Sequence, residues 1–255
     1  MNKETVSQLL TDFSCLPATL FATLGSFGLG TVLSWSAPAL PQLSVQPDVR
    51  PSLVWPAGSS LRLDLEQQSW VASLLNFGAF TAGPITGCYS ASLPPLTVIM
   101  PGWLVPRYGK KWTMMILSVP IFCGWVCLIT ASSLHILYCG RFLTGFAGAF
   151  SMLAPGFIAE ICEVEVRGAL ASFMQVMTML GLLFTYAIGA VMDWRDISLI
   201  SAVFPVASVL CLAFIPRSPV FLVSQGDIPG ARASLQFYRG KCYDVTREIT
   251  GNYSA

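Results

Sequence analysis

Charged side chains are scarce in this sequence. Only 11% of its 255 residues are Asp, Glu, Lys or Arg, while 54% are hydrophobic. Soluble globular domains carry about 25% charged residues, so the composition excludes an ordinary soluble domain. It predicts instead a helical membrane protein whose spans each need roughly 20 apolar residues. The net charge of +1 also argues against a nucleic-acid-binding surface.

Clusters of nucleophilic or metal-ligating residues are missing as well. The chain has one histidine, and the sequence contains no Ser-His-Asp set, phosphate-binding loop or metal-ligand spacing. No enzyme activity, metal or cofactor is therefore predicted. Of the eight cysteines, Cys123, Cys127, Cys139 and Cys211 fall in apolar segments, and we expect the cysteines to be small buried side chains without disulfides.

Six apolar segments predict an all-α membrane domain over residues 16–216. Residues 1–15 precede this domain, and residues 217–255 form a polar helical tail that stops before any further span. In the tail, Asp227 is expected to cap a short helix that has Pro229 in its first turn and ends at Gly240. The six segments are expected at about Leu16–Leu40 (closed by Pro41), from Ser69 onward, and at about Trp112–Ser132, Ile136–Ile161, Ala169–Val191 and Ile197–Ile215.

The basic residues are unevenly placed between these segments. With the N-terminus inside, ten Lys and Arg residues lie in inner segments, three lie in outer loops, and Arg141 lies within the fourth span. Cytoplasmic loops carry the excess of basic residues, so both termini are predicted to be cytosolic. Trp35, Trp70 and Trp125 are expected to anchor the spans at the membrane interfaces.

The second apolar segment is too long for one helix. The charge-free run Ser69–Val105 has 37 residues, and residues 88–102 within it carry Pro94, Pro95 and Pro101. Removing these 15 residues leaves 22, which matches one span. Because proline disrupts a helix interior, we expect residues 88–102 to form an insert at the inner end of the second span, kinked or looped.

Four motifs follow one another in the order of one known family. They are PRYGKK at Pro106–Lys111, GRFLTGFAG from Gly140, AEICEVEVRGAL around Glu160 and Arg167, and PRSPVFLVSQG after the sixth span. With six spans in this order, the chain resembles the N-terminal half of the sugar porter branch of the major facilitator superfamily. The residues of these motifs are similar to those of the insect facilitated trehalose transporter-like group.

The resemblance implies a charge network that closes the cytosolic side of the carrier and opens during alternating access. The glycine of PRYGKK, Gly109, allows a tight turn between two helices. Glu160 can pair with Arg167 across two helix ends, while the lysines of PRYGKK can alternatively serve only to set topology. Pro106 and Arg217 stand where the family has acids, so a weaker network is expected. The residues assigned to gating are Arg107, Gly109, Lys110, Lys111, Arg141, Glu160 and Arg167.

Arg141 is a charge inside a predicted span, and a charge inside the membrane is expected by default to have a functional role. The alternative is an arginine bound by backbone carbonyls near the outer face. Proton-coupled family members place an Asp in the first span near this arginine, whereas Gly30 occupies that position here. The missing carboxylate favours facilitated diffusion over proton symport.

Sugar recognition needs hydrogen-bonding side chains in a cavity, often together with an aromatic face. Gln175 is the best candidate because an amide both donates to and accepts from a hydroxyl. The resemblance implies the same role, since Gln175 matches the sugar-binding Gln of the family. Thr178 and Met179 follow three and four residues later, on the same helical face, and are candidates as well.

The expected function is facilitated transport of trehalose or a related mono- or disaccharide across the plasma membrane. The expected partners are the sugar, the lipid bilayer, and the missing C-terminal half or a full-length carrier, with no nucleic acid. Because the family places its site between two halves, one alternative is a transport-inactive fragment that binds or interferes with the full-length carrier. A proton–sugar symporter is the other alternative.

Overall fold

The computed structural model describes residues 23–44, 61–86, 104–162 and 164–239. Apart from one isolated bridge between Ser44 and Leu63, every regular element in these ranges is a helix. The all-α prediction therefore holds for the described chain. The predicted N-terminal segment 1–15, the insert 88–102 and the helix stop at Gly240 lie outside the described residues.

The first span consists of two helices with a break between them. Helix α1 covers residues 23–34, Trp35 forms a turn, and α2 is Ser36–Leu43. The prediction that Pro41 closes this span was wrong, because Pro41 lies inside α2. The last turn of α2 is held after the proline by the side chain of Gln42. Its amide nitrogen donates to the Met192 carbonyl at 3.2 Å, and its amide oxygen accepts from the Trp194 N–H at 2.8 Å.

Helix α3, Leu65–Thr86, begins four residues before the expected start of the second span at Ser69. The backbone N–H of Asp64 donates to Oε1 of Gln67 at 3.2 Å. This is the reciprocal half of a capping box, in which the side chain at the third helical position bonds the N-cap N–H. The polar first turn is therefore part of the helix although it is not apolar.

The third to sixth predicted spans correspond to helices that are long and apolar enough to cross a membrane. The fourth span has a short turn at Gly145–Phe146, and the sixth has one at Ala202. The helices are α4 (Leu104–Ile129), α5 (Leu134–Thr144), α6 (Ala147–Ile161), α7 (Val164–Gly189), α8 (Trp194–Ser201) and α9 (Val203–Ala213).

Gly109 interrupts α4 with φ 80° and ψ 164°, so the turn expected in PRYGKK is confirmed. This left-handed backbone conformation is available to glycine at little steric cost. The space is also tight, because a Cβ here would lie 3.0 Å from the ring of Phe221, which would have to shift.

The polar tail contains α10 (Pro219–Ser224) and α11 (Ile228–Arg239). Oδ1 of Asp227 accepts the Gly230 N–H at 3.0 Å, which confirms the predicted cap at the start of α11. This bond satisfies one of the first backbone donors of the helix, which have no partner within it.

Three pairs of glycines let the span backbones approach closely. A Cβ on Gly30 would overlap the Thr178 carbonyl of α7, and a Cβ on Gly181 would overlap the Phe27 carbonyl of α1. The other pairs are Gly78 with Gly145, between α3 and the fourth span, and Gly124 with Gly140, between α4 and α5. Small residues at such crossings allow tight helix packing in lipid.

Two expectations about single residues were wrong. Trp35 and Trp125 are fully buried in the core and do not anchor the spans at an interface, although Trp70 is exposed. Cys123 and Cys139 are exposed on the bundle surface, not buried. Apolar composition identifies a span but does not tell which of its faces meets the other helices.

Candidate functional site

An ion pair joins the third and fourth spans at one end of the bundle. Nζ of Lys110 lies 2.7 Å from Oε1 of Glu160, with both side chains mostly buried. Lys110 also donates to the Gly156 carbonyl at 3.0 Å, one turn before Glu160 on α6. The hydroxyl of Ser218 donates to Oε2 of Glu160, so the chain after the sixth span joins the same pair. We call this the Lys110 end of the bundle.

Lys111 binds the end of the sixth span. Its ammonium donates to the carbonyls of Ala213, at 3.4 Å, and Ile215, where α9 ends. A cation at a helix C-terminus interacts favourably with the free carbonyls and with the helix dipole. Lys111 therefore holds α4 against α9, a structural role beyond setting topology. The guanidinium of Arg217 lies 5.7 Å from the ring centre of Trp112, next to Lys111.

Two more of the expected gating cations lie on the surface. Arg107 and Arg167 are exposed, at the start of α4 and near the start of α7. The structure describes both Glu160 and Arg167, and it forms no ion pair between them; Glu160 pairs with Lys110 instead. Sequence spacing placed the two charges at adjacent helix ends but could not tell which cation reaches the carboxylate.

Arg141 is fully buried and is bound mainly by the first and second spans. Its guanidinium donates to the Val71 carbonyl at 3.2 Å, the Val32 carbonyl at 3.3 Å and the Ser36 hydroxyl at 2.7 Å. It also lies 5.0 Å from the ring centre of Trp35. This arrangement is the carbonyl-bound alternative considered from the sequence, and no carboxylate among the described residues pairs with Arg141.

Trp35 extends this network to the sixth span. Its indole N–H donates to the Ser198 hydroxyl at 2.8 Å, and its ring meets that of Trp194 edge-on, with 6.3 Å between centroids. Trp35 and Ser36 were not singled out as functional from the sequence. Both residues lie at the break in the first span, and the apolar periodicity of the sequence does not reveal this break.

The three candidate sugar contacts do not share one environment. Gln175 and Met179 are exposed on α7, whereas Thr178 is buried and its hydroxyl donates to the Met174 carbonyl at 3.1 Å. Residues three and four positions on lie on opposite sides of the starting residue, about 100° apart. Gln175 and Met179 therefore face outward, while Thr178 packs towards Gly30.

The family model described as "Sugar (and other) transporter" matches residues 59–255. The chain is 33% identical over 224 residues to the solute carrier family 2 facilitated glucose transporter member 8 of Bos taurus, covering 88% of this chain and 42% of that protein. It is 29% identical to a facilitated trehalose transporter Tret1-2 homolog of Drosophila simulans, covering 93% of this chain and 44% of that protein. The chain thus spans less than half the length of these relatives.

Solved structures are similar in fold. The major facilitator proton:xylose symporter XylE, bound to 6-bromo-6-deoxy-D-glucose, superposes with a TM-score of 0.71 at 20% identity, over 90% of this chain and 50% of that one. An inward-open, partially occluded form of XylE from E. coli gives a TM-score of 0.65 at 21% identity, and the match covers 88% of this chain and 54% of that one.

Proposed function

We propose that this chain, which belongs to the sugar (and other) transporter family, forms one wall of a carrier that moves a sugar down its concentration gradient. The members of this family are multi-pass membrane transporters and not enzymes. The resemblance to the sugar porter branch, and to its N-terminal half in particular, is confirmed by these relatives and by the fold. Trehalose, or a related mono- or disaccharide, is the substrate we propose.

The outward-facing Gln175 carries this proposal. It is an exposed amide on α7, surrounded by exposed apolar side chains such as Val176 and Leu180. Such an amide would be left without partners in hydrocarbon, which is costly. In a two-walled carrier, the same face turns towards the second half and the cavity between them. There the amide can donate to and accept from sugar hydroxyls, with Met179 as an apolar neighbour.

Packing around Gly30 supports facilitated diffusion. Thr178 and Leu182 of α7 occupy the space that a side chain at position 30 would need. The position where proton-coupled relatives carry an Asp is therefore closed, and Arg141 is bound by carbonyls instead. Because none of the carboxylates that the structure describes lies beside Arg141, we infer that transport needs no proton.

We further propose six spans with both termini in the cytosol of a cell-surface carrier, the Lys110 end facing inward. The domain limits follow the sequence: residues 1–15, the membrane domain 16–216 with its insert 88–102, and the tail 217–255. Excess basic residues support this orientation. The ion pair of Lys110 with Glu160 would then close the cytosolic side and break as the site opens inward.

The test is uptake of labelled glucose and trehalose into proteoliposomes. One set carries this chain alone, and the other carries a hybrid in which this chain replaces the N-terminal half of a facilitated trehalose transporter relative. The proposal predicts saturable uptake by the hybrid, unaffected when a pH gradient is dissipated. A folded hybrid that transports no sugar would favour the inactive-fragment alternative, and uptake that collapses without the gradient would favour proton symport.

A further inference from the structure

Three thiols lie together between the third and fourth spans, away from the Lys110 end. Cys123 and Cys127 are one turn apart on α4, and Cys139 is on α5. All three are free; Cys123 and Cys139 are exposed and Cys127 is half-buried. Neither the gating network nor the sugar-facing surface uses them.

The two helices approach each other closely at this place. A Cβ on Gly124 would lie 2.9 Å from the Gly140 carbonyl, and a Cβ on Gly140 would lie 3.0 Å from the Gly124 carbonyl. Cys127 follows Gly124 by three residues and so lies on the same face, towards α5. Cys139 directly precedes Gly140, and its thiol lies close to that of Cys127 at this crossing of the two helices.

We propose that Cys127 and Cys139 form a reversible disulfide that joins the third and fourth spans. A small, membrane-permeant disulfide serves as the oxidant. The thiolate of one cysteine attacks it and releases one small thiol, which leaves a mixed disulfide on the protein. The second cysteine displaces the other small thiol, so two protein thiols are oxidised and the oxidant is reduced to two thiols.

A disulfide fits these residues better than a metal ion does. Among the described residues, no group of three or more His, Cys, Asp or Glu side chains could hold a metal. Cys127 lies two residues before the end of α4 and Cys139 five residues after the start of α5, so both are within about 8 Å of a helix end. In the proposed topology that end is outside the cytosol, where disulfides persist.

Oxidation would tie the same two spans together at both ends. The ion pair between Lys110 of α4 and Glu160 of α6 already joins the third and fourth spans at the other end. A covalent link between Cys127 and Cys139 would make this pair of spans one rigid unit under oxidising conditions. The disulfide itself does not depend on sugar transport, so its test needs no transport readout.

The test treats the full chain in membranes with 2,2′-dithiodipyridine, then maps disulfides by mass spectrometry after non-reducing digestion. The expected result is a 127–139 link within one chain, with two equivalents of thiopyridone released for that pair. Cys123→Ser is the matched control, because it removes the neighbouring thiol and should leave the link intact. Cys127→Ser and Cys139→Ser should each abolish the link and retain a mixed disulfide at the remaining cysteine.

Several results would overturn the proposal. They are a retained mixed disulfide on both Cys127 and Cys139, a link from either residue to Cys123, and a link between two chains seen on a non-reducing gel. Complete labelling of every cysteine by maleimide after denaturation, before oxidation, establishes that the thiols start reduced. The proposal would be contradicted equally if the oxidant left both Cys127 and Cys139 unmodified in the folded chain although it reacted fully with the denatured chain.

Discussion

Lys110 of α4 and Glu160 of α6 are paired at 2.7 Å, and the hydroxyl of Ser218 donates to the same carboxylate. Three segments that are far apart in the chain thus meet at one carboxylate. Because both charged side chains keep some contact with solvent, the pair is weak enough to break and form again. This makes it suited to a closure that opens in every transport cycle.

Removing the charge of Glu160 should loosen the Lys110 end. In Glu160→Gln, the amide can still accept from Ser218 but loses the ion pair. Cys162, which is fully buried two residues later, serves as a native reporter. We expect its reaction with maleimide to speed up about two- to fivefold, as the loss of a partly exposed ion pair implies. Arg167→Gln is the matched control, since exposed Arg167 does not contact Glu160; an equal effect there would contradict the pairing.

Arg141 should tolerate an apolar replacement better than lysine. The guanidinium reaches acceptors on α1, α2 and α3, which a compact ammonium cannot bond at once. Arg141→Lys keeps a buried charge with too few partners and should destabilise the fold by about 3 kcal/mol. Arg141→Met removes the charge and should cost less, while Ser36→Ala, which removes one bond, should cost about 1 kcal/mol.

Unfolding of these variants in mixed detergent micelles measures the differences. An Arg141→Lys protein as stable as the parent would show that the fixed geometry of the three hydrogen bonds is unimportant. It would also remove the reason for keeping an arginine at this buried place.

Gly30 should not accept even a methyl group. In Gly30→Ala, the new Cβ would overlap the Thr178 carbonyl and lie 2.9 Å from the backbone nitrogen of Leu182. Overpacking of this kind destabilises a protein by about 1–3 kcal/mol. In Gly28→Ala, the new Cβ would lie 3.5 Å from the Cβ of Phe204, an ordinary contact, so little change is expected. Thermal unfolding of both variants in detergent is the measurement.

The same contact predicts the fate of an engineered proton carrier. Gly30→Asp should lower stability at least as much as Gly30→Ala and should not create proton-coupled uptake, because its side chain finds no space between α1 and α7. A stable Gly30→Asp protein with pH-dependent uptake would show that this helix crossing can open.

Local signals in the sequence predicted local structure well. Asp227 is expected at a cap because of its own residue type and that of Pro229, and it caps α11. Gly109 is expected at a turn because its neighbours set the end of one span and the start of the next, and its φ is positive. Both features depend on residues within one turn, so no tertiary information was needed.

Contacts between spans could not be read in the same way. The carboxylate of Glu160 was expected to pair with Arg167, yet Lys110, 50 residues earlier in the chain, reaches it. Gln175 and Thr178 were assigned to one face, but the first is exposed and the second is buried. Spacing restricts which residues can meet, whereas the rotation of each helix against its neighbours decides which of them do.

The most direct test of the sugar-carrier account is the concentration dependence of trehalose and glucose uptake by the hybrid carrier, compared with its Gln175→Ala variant. Losing the hydrogen bonds of one amide to a sugar hydroxyl should raise KM about tenfold, while Gln225→Ala, an exposed amide in the tail, should leave KM unchanged. Saturable uptake with the same KM in the Gln175→Ala variant would contradict the assignment of this face of α7 to the sugar.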